Sequence, residues 1–167
     1  VPLIDQFDRL CEDDLALPEL PIVMCMLGEP ALTPLTGCMN DLNLKEFGRV
    51  MAADILAEID KLHTACRERI IQCYCDCMRG PDLSAHALNG LLSGRLLDLD
   101  AKEAIDDIRL FFAKDCVDST GAGDLEEVEI ELGFRSKRST PKPDCAQLYG
   151  LESLQLPEKP QSDDIFE

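Results

Sequence analysis

Residues 43–79 read NLKEFGRVMAADILAEIDKLHTACRERIIQCYCDCMR, and this stretch decides the fold. Its apolar side chains recur at steps of three and four, the spacing of one helix face. The positions on that face are Leu44, Phe47, Met51, Ile55, Ile59, Leu62, Cys66, Ile70, Cys73 and Cys77. Asn43 suits a helix N-cap, and Gly80 followed by Pro81 suits a helix end. The pattern therefore predicts one helix of about 50 Å at the centre of the molecule.

Shorter helical patterns lie on both sides of this stretch. We predict helices over residues 2–16, 83–97 and 101–115 from the spacing of their apolar residues. Gly90 and Gly94 weaken the second of these helices but allow another helix to approach it closely. Four prolines interrupt residues 18–38, where the apolar residues 22–27 could form a short buried strand.

The apolar period changes to two near residue 127. Val128, Ile130, Leu132 and Phe134 alternate with three glutamates and a glycine, which predicts a strand with one acidic face. The expected fold is mainly α: a disulfide-stapled helical bundle around one long helix, about 43–79, with a small β element near 127–134. Residues 1–134 would form this domain, and residues 135–167 would form a basic loop and a Pro-rich extended tail.

Nine cysteines in 167 residues are typical of a protein from an oxidising compartment. The chain also begins at Val1, so we expect a signal peptide to have been removed and the protein to be secreted and extracellular. Cysteines four apart on a helix are too distant to pair, so each would bridge to another segment. The disulfide candidates are Cys11, Cys25, Cys38, Cys66, Cys73, Cys77, Cys116 and Cys145.

The odd number of cysteines leaves at least one sulfur free, bound to another chain, or bound to a metal. Cys75 would point away from the apolar face, so it is the candidate free or interchain cysteine. The alternation of Cys73, Cys75 and Cys77 resembles metallothionein, which implies a metal-thiolate site as the alternative. It lacks the C-x₂-C pairs of structural zinc sites, so we favour disulfides and predict no metal and no cofactor.

The formal net charge of −17 limits the choice of partners. Nucleic acid and anionic membrane surfaces would both repel such a chain, so we predict neither as a partner. No apolar run approaches the roughly 20 residues that span a bilayer, and no membrane span is expected. The acidic excess instead fits solubility, calcium, or a basic protein partner.

Arg135, Ser136, Lys137 and Arg138 resemble the R-x-K-R motif that proprotein convertases cut. The resemblance implies cleavage after Arg138, which would release residues 139–167 unless Cys145 tied them back. The alternative is a basic loop that pairs with aspartates or glutamates of this acidic protein.

His63, Thr64, Ala65 and Cys66 resemble the His-Asp-x-Cys element of secreted phospholipase A2, which implies a calcium-dependent hydrolase using His63. Thr64 stands where that family has a calcium-binding aspartate. A structural histidine is the alternative, and we expect no enzyme.

Three functions follow from these patterns. The first is a non-enzymatic extracellular subunit that assembles with copies of itself or with sister chains, in a storage, structural or small apolar-ligand carrying role. The second is a secreted hormone-like or toxin-like ligand precursor that is cleaved after Arg138. The third is the hydrolase around His63.

Overall fold

A computed structural model describes residues 19–80, 82 and 84–143, apart from the side chains at positions 120 and 121. The predicted helix over residues 2–16, Cys11, Cys145 and most of the predicted tail lie outside the described residues. Within the described part the chain is mainly helical and contains no strand, which confirms the mainly α prediction. The helices are α1 Leu20–Cys25, α2 Leu32–Asn40, α3 Glu46–Leu62, α4 Arg67–Arg79, α5 His86–Asp98, α6 Ile105–Phe112, α7 Ser119–Ala122 and α8 Leu125–Glu131.

Helices α3 and α4 form the centre of the bundle. α1 and α2 pack on α3, α5 packs on both central helices, and α6 packs on α4. α7 then packs on α5, and α8 packs on α6. The fully buried side chains come mainly from these contacts and include Met24, Leu35, Met39, Ile55, Leu56, Ile59, Ile70, Leu88, Leu92, Leu96 and Ile108. Burial of each contributes roughly 1.5–3 kcal/mol.

The predicted single helix over residues 43–79 is wrong, because the chain breaks into two helices at His63. The backbone of His63 leaves the helical region at φ −132° and ψ 66°, and a 3₁₀ turn at Thr64–Cys66 leads into α4. Leu62, which the pattern placed on the buried face, is 61% exposed. Ile59 and Cys66 are both buried, so the steps of three and four continue across the break and conceal it.

The predicted β element near 127–134 is also wrong, because these residues belong to α8 and the turn that ends it. The Asp124 side chain accepts a hydrogen bond of 2.9 Å from the amide of Glu127, which caps the helix start. Gly133, at φ +82°, ends the helix in a Schellman motif. Its amide donates to Ile130 O, and the next amide donates to Glu129 O. Val128 and Leu132 are buried four residues apart, which is helical spacing as well as strand alternation.

The predicted strand over residues 22–27 is wrong as well, since α1 covers most of it. Pro21 lies in the first turn of α1, a position where its fixed φ favours a helix. The two later helical predictions are confirmed with shifted bounds, as α5 and as α6 preceded by a 3₁₀ turn at Lys102–Ala104. Among the helices described, none combines the length and the apolar character that a membrane span requires.

Candidate functional site

The predicted basic segment lies against the acidic helix α8. Arg138 forms a bidentate pair with Asp124, with one Nη1–Oδ1 distance of 3.0 Å and a shorter Nη2–Oδ2 contact. Its Nη1 also donates to Glu127 Oε2 at 3.3 Å, and its side chain is only 20% exposed. We call residues 135–142 the clasp, because they connect back to the helix that precedes them.

Glu126 of α8 accepts hydrogen bonds from three residues of the clasp. Its Oε2 accepts from the amides of Ser139 and Thr140, both at 3.0 Å, and from the Thr140 hydroxyl at 2.9 Å. Its Oε1 accepts from the Ser139 hydroxyl and from Arg135 Nη1, the latter at 2.7 Å. One carboxylate therefore binds backbone, hydroxyl and guanidinium groups at once.

Glu129 of α8 links the clasp to α6. Arg135 Nε donates to Glu129 Oε2 at 2.9 Å, and Arg109 Nε donates to Glu129 Oε1 at the same distance. The Arg109 guanidinium lies 5.5 Å from the centre of the Phe134 ring, within cation–π range. Lys142 Nζ adds a 2.8 Å contact to Glu127. Glu127 and Glu129 of α8 thus each pair with two basic side chains.

These contacts favour the ionised carboxylates. The Ser139 hydroxyl, with the Thr140 amide next, lowers the pKa of Glu126 to about 2. The Arg138 guanidinium lowers the pKa of Asp124, and the Arg109 guanidinium lowers that of Glu129. Charge-assisted hydrogen bonds of this kind are the stronger ones in proteins.

The structure therefore places Arg135 and Arg138 as the basic-loop interpretation predicts, in pairs with aspartate and glutamate. Ser136 and Lys137 are exposed on the outside of the clasp. Cleavage after Arg138 stays a prediction.

The described cysteines are distributed over several helices, and no two of them are bonded to each other. Cys25, Cys66, Cys75 and Cys116 are buried, and Cys38, Cys73 and Cys77 are half-buried. The predicted disulfides stay predictions, since the structure shows neither a bond nor its exclusion. Burial raises the pKa of Cys77 to about 11, so this thiol is a poor nucleophile near neutral pH.

Cys75, the candidate free or interchain cysteine, does not face solvent. It is 4% exposed and lies beside Asp107 of α6, and burial raises its pKa to about 12. A buried thiol fits the unpaired state better than a bond to another chain. The sequence pattern did not show this. It marked only the face of α4 that carries Cys73 and Cys77, whereas α6 lies beside Cys75 on another face.

A partly buried ion pair lies between α2, α3 and the chain before α5. Arg49 is 7% exposed on its side chain, and it contacts Asp82 and donates to Met39 O at 2.9 Å. Hydrogen bonding from Ser84, and then from Arg49, lowers the pKa of Asp82 to about 2. Arg49 thereby connects the end of α2 with the segment before α5, a role that the sequence pattern did not reveal.

His63 lies against the turn that contains Gly28. A β-carbon added at Gly28 would lie 3.1 Å from Cε1 of the His63 ring, so the imidazole rests directly against that backbone. Gly28 has φ +63°, which favours glycine at this contact. In the described residues, no three His, Cys, Asp or Glu side chains come together to hold a metal ion.

Helix α1 and the two residues that follow it carry a group of exposed apolar side chains. Leu20, Met24 and Cys25 are buried, whereas the opposite side chains are exposed. We call these exposed side chains the α1 apolar face: Ile22 at 57%, Val23 at 47%, Met26 at 72% and Leu27 at 40%. Beside it, an open groove of about 390 Å³ is lined by Ile22, Met51, Glu58 and Arg95, among others.

Comparison with known proteins gives no match: no family model, curated protein or solved structure resembles this chain.

Proposed function

We propose that this protein is a non-enzymatic extracellular subunit that assembles with other protein chains. The observation that carries this proposal is the α1 apolar face. Single exposed apolar residues are ordinary on a protein surface, whereas contiguous groups of them mark interaction sites. Four large apolar side chains within six residues form such a group.

Charge indicates the chemistry of the partner. Glu19 precedes the α1 apolar face and Glu29 follows it, and the whole chain has a formal net charge of −17. Two such copies repel each other, so a sister chain with an apolar centre and a basic rim is favoured over a second copy. The adjacent groove of about 390 Å³ is within the size range of small-ligand sites and supports a carrier role.

The experiment is native mass spectrometry of the wild type and its variants, each recovered from cells that express and secrete it, first intact and then reduced. We expect a complex of higher mass that Met26→Asp weakens, because the charge would be buried in the interface. Leu110→Asp is the matched control, since Leu110 is an exposed apolar residue on α6. A single monomer mass in every state would contradict the proposal.

The cleaved-precursor alternative predicts a different result, namely a homogeneous product ending at Arg138. The contacts of Arg138 with Asp124 and Glu127 weigh against cutting of the folded chain. The hydrolase alternative predicts calcium-dependent lipase activity that His63→Ala abolishes. The packing of His63 against Gly28 weighs against that role.

A further inference from the structure

A protease that cuts after arginine needs two things from its substrate. It takes the arginine side chain into an acidic pocket, and it binds the chain around the scissile bond in extended form. The motif at 135–138 supplies the residue types for such a cut. The folded chain, however, uses the same atoms elsewhere.

The arginine side chain is already occupied. Both terminal nitrogens of Arg138 contact Asp124, and Nη1 contacts Glu127 as well. Its Nε donates to Thr140 O at 3.2 Å, across the scissile bond. The side chain cannot enter a protease pocket until these contacts separate.

The backbone on the other side of the scissile bond is also held. Glu126 Oε2 accepts the first two amides after the bond, those of Ser139 and Thr140. The chain bends at residues 136–137 and again at 139–140, so it is not extended. Arg135, three residues before Arg138, is held by Glu126 and Glu129.

We propose that the Arg138–Ser139 peptide bond is a conditional cleavage site, which the clasp closes in the folded chain and which an arginine-specific serine protease cuts once the clasp opens. The reaction is hydrolysis. The bond between the Arg138 carbonyl carbon and the Ser139 nitrogen breaks, and water supplies the hydroxyl to the carbon and the proton to the nitrogen. This proposal does not depend on the assembly role.

Opening of the clasp is a local event, because the hydrogen bonds of Arg135, Arg138, Ser139 and Thr140 to carboxylates all end on residues 124–129. When opening and closing are fast, the cleavage rate follows the population of the open form. Removing one charged partner should therefore raise the rate without unfolding the bundle.

The test is limited trypsin digestion of the full chain, with cleavage after Arg138 followed by mass spectrometry. Trypsin needs only the arginine before the bond, so Arg135→Gln leaves the cut site intact while removing two contacts to the acids. We expect Arg135→Gln to be cut at least about tenfold faster than the wild type, the scale of one charge-assisted hydrogen bond. Ser136→Ala, at the exposed position next to Arg135, is the control and should keep the wild-type rate, because it removes no charge and no site at which trypsin cuts.

A second pair of variants tests the acidic side. Glu126→Ala should open the clasp, and Glu131→Ala, an exposed glutamate of the same helix, should not. Alanine favours the helix, so both variants keep α8. A synthetic peptide of residues 133–143 should be cut rapidly, which shows that the motif itself is a substrate.

Two results would overturn the proposal. One is cutting of the native wild type after Arg138 as fast as the peptide. The other is equal resistance in Arg135→Gln, Glu126→Ala and their controls, which would mean that the clasp is not what protects the bond.

Discussion

Gly90 of α5 lies directly beneath the carbonyl oxygen of Asp118. A β-carbon at residue 90 would come within 2.2 Å of that oxygen, closer than any real contact. The Asp118 amide donates to His86 O at 3.1 Å, and Asn89 Nδ2 donates to Cys116 O at 2.9 Å. These bonds hold the segment before α7 against α5, so Gly90 is needed for the approach of two backbones.

Gly90→Ala should therefore destabilise the protein by about 1–3 kcal/mol, the cost of overpacking. Gly48→Ala is the matched control, since Gly48 also lies inside a helix but has nothing within 4 Å of the added β-carbon. There, alanine should stabilise by about 0.5–1 kcal/mol through helix propensity. Urea unfolding midpoints of the two variants measure the difference, and shifts of the same sign would contradict the packing described.

Arg49→Ala should cost about 3 kcal/mol, because it leaves Asp82 and the Met39 carbonyl without their buried partner. Arg79→Ala removes an arginine whose own side chain is 49% exposed, against 7% for Arg49, and should cost about 1 kcal/mol or less. Denaturant unfolding of both variants compares the two ion pairs. Equal losses would show that the Arg49 pair is no more important than a surface contact.

Acid should lower the free energy of unfolding, because it protonates Glu126, the carboxylate that binds the clasp. Because the pKa of Glu126 is lowered in the folded state, its contribution is fully present above its ordinary value of 4.5 and is lost as pH falls toward about 2. Unfolding free energy measured between pH 6 and pH 2 should therefore decline more steeply in the wild type than in Glu126→Gln. The exposed Glu131→Gln should follow the wild type, and a Glu126→Gln profile identical to the wild type would refute the assignment.

Alkylation without reductant tests the disulfide prediction. If the scaffold is oxidised, the native protein should take up no label, and the unfolded protein should take up label at Cys75 alone. Alkylation of the Cys75 thiol should be slow in the native state, because the thiol is buried and its pKa is raised to about 12. Labelling of most cysteines in the unfolded, unreduced chain would remove the basis for predicting that the protein is extracellular.

The sequence predicted buried positions correctly where the spacing of apolar residues marks one face of a helix. The core positions Ile55, Ile59 and Ile70 were predicted from spacing and are buried. The break at His63 was not, because Ile59 and Cys66, the buried residues on either side of it, keep the spacing of one helix face. Periodicity alone cannot separate a straight helix from two helices joined in phase.

The candidate site shows the same limit. Opposite charge predicted that the basic loop would pair with acids, but reading α8 as a strand put Glu127, Glu129 and Glu131 on one face. On a helix, Glu126 and Glu129 are three residues apart and face the clasp together. Asp124 as an N-cap and Gly133 after the last turn both indicate a helix, but the alternation of apolar residues led to the prediction of a strand.

The turn at Gly133 sends the chain straight back along α8. Every bond between the clasp and α8 consequently joins residues fifteen or fewer positions apart. Closing so short a loop costs little chain entropy, since that cost grows only slowly with length. The acidic helix and its basic return segment thus form one contiguous hairpin of low contact order.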